Sequence, residues 1–118
     1  MKYRYYLTRI TGANQEPDYK LSRGEELEHG LAIVRIDENQ NLDFKGQWIV
    51  IDIASGLFVG YGRGKLGTRK QLLIMYNDCK GYVHKRVDEG RKLPRYKKAC
   101  EELEIEKKNW RASGYEIV

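Results

Sequence analysis

The spacing of the hydrophobic residues changes along the chain, and this change constrains the fold more than any other feature. Residues 2–10 alternate with the two-residue period of a strand, and the apolar runs 31–36 and 47–53 have the length of strands. From Thr68 onward the apolar residues instead recur at intervals of three and four, which is the period of an amphipathic helix. The sequence therefore predicts an α+β protein whose strands precede its helices.

A β-hairpin is the most sharply defined unit in the strand region. The Trp- and Ile-rich run 47–53 is followed by Ala54-Ser55-Gly56 and by a second β-like run, 57–61. A short loop that ends in glycine between two such runs is typical of a hairpin. The polar segment 11–30 is expected to be a long loop with at most one helical turn, and 115–118 to add a short edge strand.

The helices are predicted from their start signals. Thr68 and Gln71 have the spacing of a capping box, and the apolar face that follows extends to about Val87, with Gly81 as a weak point. Pro94 suits the first turn of a second helix, because the N–H that proline lacks would have no partner there. We expect one domain over 1–118, an antiparallel sheet of three to five strands with two C-terminal helices packed on one face.

Positive charge is concentrated in one segment. Residues 63–98 contain twelve basic and three acidic side chains, a net charge of +9 in a chain whose total is +5. The segments before and after it are each slightly acidic. A basic segment of this kind is the compositional signature of a surface that binds polyanions.

The glycine-rich stretch 60–67 leads directly into the helix that begins at Thr68. It matches the G-x-G-x-x-G spacing of a dinucleotide site, but a second helix follows where that site requires a parallel strand, so we do not interpret it as a cofactor site. Four cations nevertheless gather at the positive end of the helix dipole, where they are locally unfavourable. This pattern predicts a phosphate site formed by Arg63, Lys65, Arg69 and Lys70. The alternative is that these four are solvated charges of a loop.

A second group of cations follows along the two helices and the bend between them. It could extend a phosphate-binding track, each contact adding salt-sensitive affinity, or it could be a solvated elbow between helices. The predicted members of this group are Lys80, Arg86, Arg91, Lys92, Arg95, Lys97 and Lys98.

Residues 47–76 resemble parts of two nucleic-acid-binding families. The run from Gly60 through Lys70 is similar to the end of a double-stranded-RNA-binding domain, where glycines lead into a basic helix start that holds phosphates. That resemblance implies phosphate contacts by Arg69 and Lys70. The Trp48 strand, the Ser55-Gly56 turn and the basic helix entry also resemble the AP2-type arm-binding domain of phage integrases. We interpret both resemblances as shared phosphate-binding logic and not as family membership.

Signatures of catalysis are weak. The histidines, His29 and His84, have no ligand spacing around them, and Cys79 and Cys100 occupy core-like helix positions expected of free thiols. Asp52 could be a buried carboxylate, but the sequence places no acid–base partner beside it. We therefore expect no enzymatic activity, no metal and no cofactor.

These observations favour a non-enzymatic nucleic-acid-binding protein of the cytoplasm, such as a small accessory protein of a phage or plasmid. The alternative is a small protein-binding inhibitor, of anti-CRISPR or anti-restriction type, that acts on a nucleic-acid-processing effector. No membrane partner is expected, since no apolar run approaches the roughly 20 residues needed to span a bilayer. DNA against RNA, sequence preference, a protein partner and the oligomeric state are left open.

Overall fold

The computed structural model describes residues 3–35, 48–59 and 68–118. Four strands come first: β1 (Arg4–Arg9), β2 (Tyr19–Glu26), β3 (Leu31–Arg35) and β4 (Trp48–Asp52). Three helices follow: α1 (Arg69–Asp78), α2 (Lys80–Arg91) and α3 (Pro94–Ala112). The predicted α+β class is confirmed. The described helices number three and not two, because the first predicted helix is divided at Cys79.

The strands form an antiparallel sheet in the order β1-β2-β3-β4. The prediction of a long loop over 11–30 was wrong for β2, which lacks the apolar alternation of an ordinary strand. Ser22 and Gly24 stand where large apolar residues would signal a buried face. Gly24 is required there, since a Cβ at this position would overlap the carbonyl oxygen of Ile33.

The sheet is curved around a cluster of its own side chains. Tyr6 of β1 and Ile49 of β4 share one buried cluster with Ala32 and Val34 of β3, although β1 and β4 are the two ends of the strand order. The outer edge of β1 is also occupied, because the Arg9 N–H donates to the Gly56 carbonyl at 2.8 Å. This curvature brings the turn after β4 against the start of the chain.

The predicted hairpin is present. The Asp52 N–H donates to the Leu57 carbonyl at 2.9 Å, and Ile51 pairs with Phe58 across the turn. Gly56 has a φ of +74°, a conformation that favours glycine. Residues 60–61, the end of the predicted second arm, lie outside the described residues.

The expected edge strand at 115–118 is reduced to one bond, from the Val118 N–H to the Tyr5 carbonyl at 2.9 Å.

Helices α1 and α2 pack on the side of the sheet opposite that cluster. Leu31, Ile33 and Val50 form a buried cluster with helix side chains, among them Tyr76 of α1 and Val83 of α2. Neighbouring strand residues point to opposite faces, which is why Ala32 and Leu31 belong to different clusters. The described part of the chain contains no helix that could cross a membrane.

The helix boundaries follow the predicted signals. Both halves of the capping box form, since Thr68 Oγ1 accepts from the Gln71 N–H and Gln71 Oε1 accepts from the Thr68 N–H. Pro94 stands at the start of α3. The backbone leaves helical geometry at Cys79 rather than at Gly81. Cys79 and Cys100 are both free thiols, and both are half-buried.

Candidate nucleic-acid interface

The predicted phosphate-binding residues that the structure describes lie in two places, the start of α1 and the region from α2 to the first turns of α3. Arg63 and Lys65 lie outside the described residues. Arg69 and Lys70 open helix α1. The other seven lie on α2, on the bend between α2 and α3, and on the first turns of α3. This region, residues 80–98, is called here the elbow.

Three of these cations form ion pairs with acids on the strand side of the molecule. The Lys80 Nζ lies 2.6 Å from Glu28 Oε1, and both side chains are nearly half exposed. The other two pairs are less exposed. These contacts hold the helices against the sheet, and they are called here the sheet-side ion pairs: Arg69–Glu25, Lys80–Glu28 and Arg91–Asp52.

Asp52 is the best-satisfied polar group of the three pairs. Its Oδ1 accepts from Arg91 Nε at 3.1 Å and from Arg91 Nη2 at 2.7 Å. Its Oδ2 accepts from the Tyr96 hydroxyl at 2.9 Å, and from the hydroxyl and N–H of Ser55 at 2.7 and 3.0 Å. Arg91 also donates to the His29 carbonyl at 2.7 Å. The carboxylate therefore binds both sides of the elbow, Arg91 from α2 and Tyr96 from α3, to the end of β4.

Five hydrogen bonds from three residues account for the burial of the Asp52 carboxylate. Burial of the Tyr96 hydroxyl, together with its contacts to Cys100 and Asp52, raises its pKa above the ordinary range. A tyrosine held protonated beside a carboxylate acts as a hydrogen-bond donor. The sequence identified Asp52 as a possible buried acid, but its partner Arg91 lies 39 residues further along and could not be inferred from spacing.

Five predicted cations of the elbow are exposed and share a second property: none forms an ion pair with any residue that the structure describes. Like charges this close in sequence repel one another in the free protein. They are called here the elbow surface: Arg86, Lys92, Arg95, Lys97 and Lys98. Lys70 at the start of α1 is likewise exposed, and it is unpaired among the described residues.

A cleft of about 610 Å³ opens beside the elbow surface. One wall is the 10–14 segment, the second is the hairpin turn and its return arm, and the third is the end of α2 with the start of α3. Buried Arg9 holds the first wall in place, since its Nη2 donates to the carbonyls of Gln15 at 2.8 Å and Gly12 at 3.2 Å. No sequence pattern indicated this cleft, because its walls come from three distant segments.

The two histidines form a pair that the sequence did not indicate. Their rings stack with centroids 4.3 Å apart. The Nε2 of His29 lies 2.7 Å from Asp88 Oδ1, and the Nε2 of His84 lies 2.7 Å from the Tyr76 hydroxyl. Burial and the neighbouring His29 lower the pKa of His84, and burial raises the pKa of Tyr76 to about 12.

Over 3–35, 48–59 and 68–118, no three acidic, His or Cys side chains are grouped as metal ligands.

Fold and site together define an α+β protein with a basic elbow beside an open cleft. The chain matches no protein-family model, and neither the curated proteins nor the solved structures give a significant match.

Proposed function

We propose that this protein binds nucleic acid without catalysis, and that the elbow surface contacts the phosphate backbone. The observation that carries the proposal is the division of the basic residues into two sets. One set neutralises acids of the sheet, and the other, on the elbow, has no acid partner among the described residues. Exposed cations that no acid neutralises are available to attract a polyanion.

The Asp52 network gives the elbow surface a fixed position. Arg91 and Tyr96, on either side of the bend, are both bonded to the same carboxylate. The cations between and beside them therefore start from a rigid backbone, which lowers the entropy lost on binding. Binding by such a surface is expected to depend steeply on salt, because phosphate contacts release condensed counterions.

The helix entry at α1 is the second part of the proposed interface. Lys70 is exposed and unpaired within the described residues, so it is available to a phosphate. Arg69 is bonded to Glu25 and would have to exchange that partner. The contacts predicted for Arg63 and Lys65 remain predictions, because both lie outside the described residues.

Two triple variants test the proposal with the same change in charge. In the first, Lys92, Arg95 and Lys97 of the elbow surface are changed to Gln. The matched control changes two lysines and one arginine that are exposed elsewhere, Arg4, Lys20 and Lys108. Fluorescence anisotropy with labelled DNA and RNA should show at least a tenfold loss of affinity for the elbow variant and a much smaller loss for the control. Equal losses would show that only net charge matters and would contradict a localised interface.

Exposed apolar side chains favour a second candidate function, that of a protein-binding inhibitor of a nucleic-acid-processing effector. Ile105, Tyr82 and Ile74 are all more than half exposed. Large exposed side chains of this kind serve as anchors in protein interfaces. If the wild-type protein binds no nucleic acid even at low salt, this candidate replaces the first. Changing Tyr82 and Ile105 to Ala should then abolish a stoichiometric complex with the effector.

A further inference from the structure

The cleft beside the elbow has the size of a small-molecule site. Its volume of about 610 Å³ falls within the range of roughly 300–1,000 Å³ found for ligand pockets. It is also continuous with the proposed interface, because Arg86 and Arg95 of the elbow surface line it. A ligand in the cleft and a strand on the elbow surface would therefore share the same two guanidinium groups.

The cations that line the cleft favour a phosphate. Arg91 also lines the cleft, but it is occupied by Asp52, whereas Arg86 and Arg95 form no ion pair with a described residue. Helix α3 begins at this wall. Its N-cap residue, Leu93, makes no side-chain hydrogen bond to the helix, and the first turn contains no acid. The positive dipole end of α3 attracts an anion, and so do the guanidinium groups of Arg86, which lies over the Tyr82 ring, and of Arg95.

The apolar residues of the cleft favour a flat ring. Ile10, Leu57, Val87 and Leu93 contribute apolar surface to the walls. An unstacked nucleobase packs against aromatic or apolar side chains and against guanidinium planes. A nucleotide presents both chemistries, a phosphate and an attached planar base.

We propose that the cleft binds a single unpaired nucleotide of a single-stranded nucleic acid, with its base against the apolar side chains of the walls and its phosphate at Arg86 and Arg95. This inference rests on the proposed function and deepens it. A base inside a duplex is held in its stack and cannot enter such a cleft unless it is extruded, which opposes binding. The protein therefore prefers single strands to duplexes, and the elbow surface holds the backbone on the side of the entering nucleotide.

Two glycines of α2 provide a matched test. Gly90 lines the cleft and Gly81 does not, and a Cβ added at either meets no atom within 4 Å. Gly90→Trp places a large ring in or across the cleft, and Gly81→Trp places the same ring on α2 away from it. Neither changes the charge, and circular dichroism and thermal unfolding establish that both variants fold.

Affinity is measured for a labelled single strand, for the matching duplex, and for competition by a nucleoside monophosphate, its nucleoside and inorganic phosphate. The wild type and Gly81→Trp should bind the single strand equally, and Gly90→Trp should bind it at least tenfold more weakly with little change in duplex affinity. The monophosphate should compete better than the nucleoside or phosphate alone. Equal single-strand affinity of the two tryptophan variants would overturn the cleft proposal and leave the elbow proposal standing. Absence of any nucleic-acid binding by the wild type would overturn the elbow proposal, and with it the strand-binding role of the cleft.

Discussion

Arg91 and Arg95 are four residues apart, on the two sides of the same bend, and the structure uses them in opposite ways. Arg91 is directed toward the sheet, where it makes two hydrogen bonds to the buried Asp52 carboxylate and one to the His29 carbonyl. Arg95 is exposed and has no acid partner among the described residues. The comparison teaches that a basic segment is not one feature: its cations divide into a set that holds the helices in place and a set available to a ligand.

The largest expected effect is on stability and comes from the sheet-side ion pairs. Asp52→Ala leaves the Arg91 guanidinium and the Tyr96 hydroxyl without their acceptor, which should lower the free energy of unfolding by about 3 kcal/mol or more. Glu28→Ala removes the acid of the exposed Lys80 pair and should lower it by less than about 1 kcal/mol. Urea unfolding followed by circular dichroism measures both. Similar losses would show that burial does not distinguish the two pairs.

Exchanging arginine for lysine sharpens the contrast between the two sides of the bend. Arg91→Lys keeps the charge but loses the two-bond contact with Asp52, so it should destabilise the fold by about 1–3 kcal/mol. Arg95→Lys should change stability by no more than about 0.5 kcal/mol, since the Arg95 side chain is exposed. The measurement is again urea unfolding of the two variants. An equal response would contradict the division into structural and free cations.

The smallest effect concerns His84, which stacks on His29 and contacts the Tyr76 hydroxyl. The charges of Glu28, Lys80 and Asp88 also act on it. Burial and the adjacent His29 lower its pKa from 6.5 in the folded protein, so folding disfavours its protonation. The unfolded chain then binds more protons just below pH 6.5, and stability falls as the pH falls through that window.

Thermal unfolding between pH 7.5 and 5, compared for wild type and His84→Gln, isolates this contribution. The wild type should lose more stability on acidification than the variant does. A variant that loses as much as the wild type would show that His84 does not contribute to the pH dependence.

Much of the fold could be predicted because its signals are local. The alternation in β1, the glycine turn at 54–56, the capping box at Thr68 and the position of Pro94 each depend on a few consecutive residues. Strand β2 was missed for the opposite reason. Its inner face carries Ser22 and Gly24, and the need for glycine arises from the approach of β3, which no local pattern reveals.

The candidate site was predictable only in its composition. The basic residues of the elbow are evident in the sequence, but their division into two sets depends on contacts such as Arg91 with Asp52, across 39 positions. The cleft is built from three segments that the curved sheet brings together. Spacing within one segment carries no information about such an arrangement.

The salt dependence of binding tests the central claim most directly. Affinity for a labelled single strand is measured from about 50 to 200 mM salt, with the wild type, the elbow triple variant and the matched control triple. The slope of log affinity against log salt should fall in magnitude by about 2 for the elbow variant, since three phosphate contacts on a single strand are removed at roughly 0.7 each. The control should keep the wild-type slope. An elbow variant with an unchanged slope would show that these cations do not contact phosphates and would contradict the account.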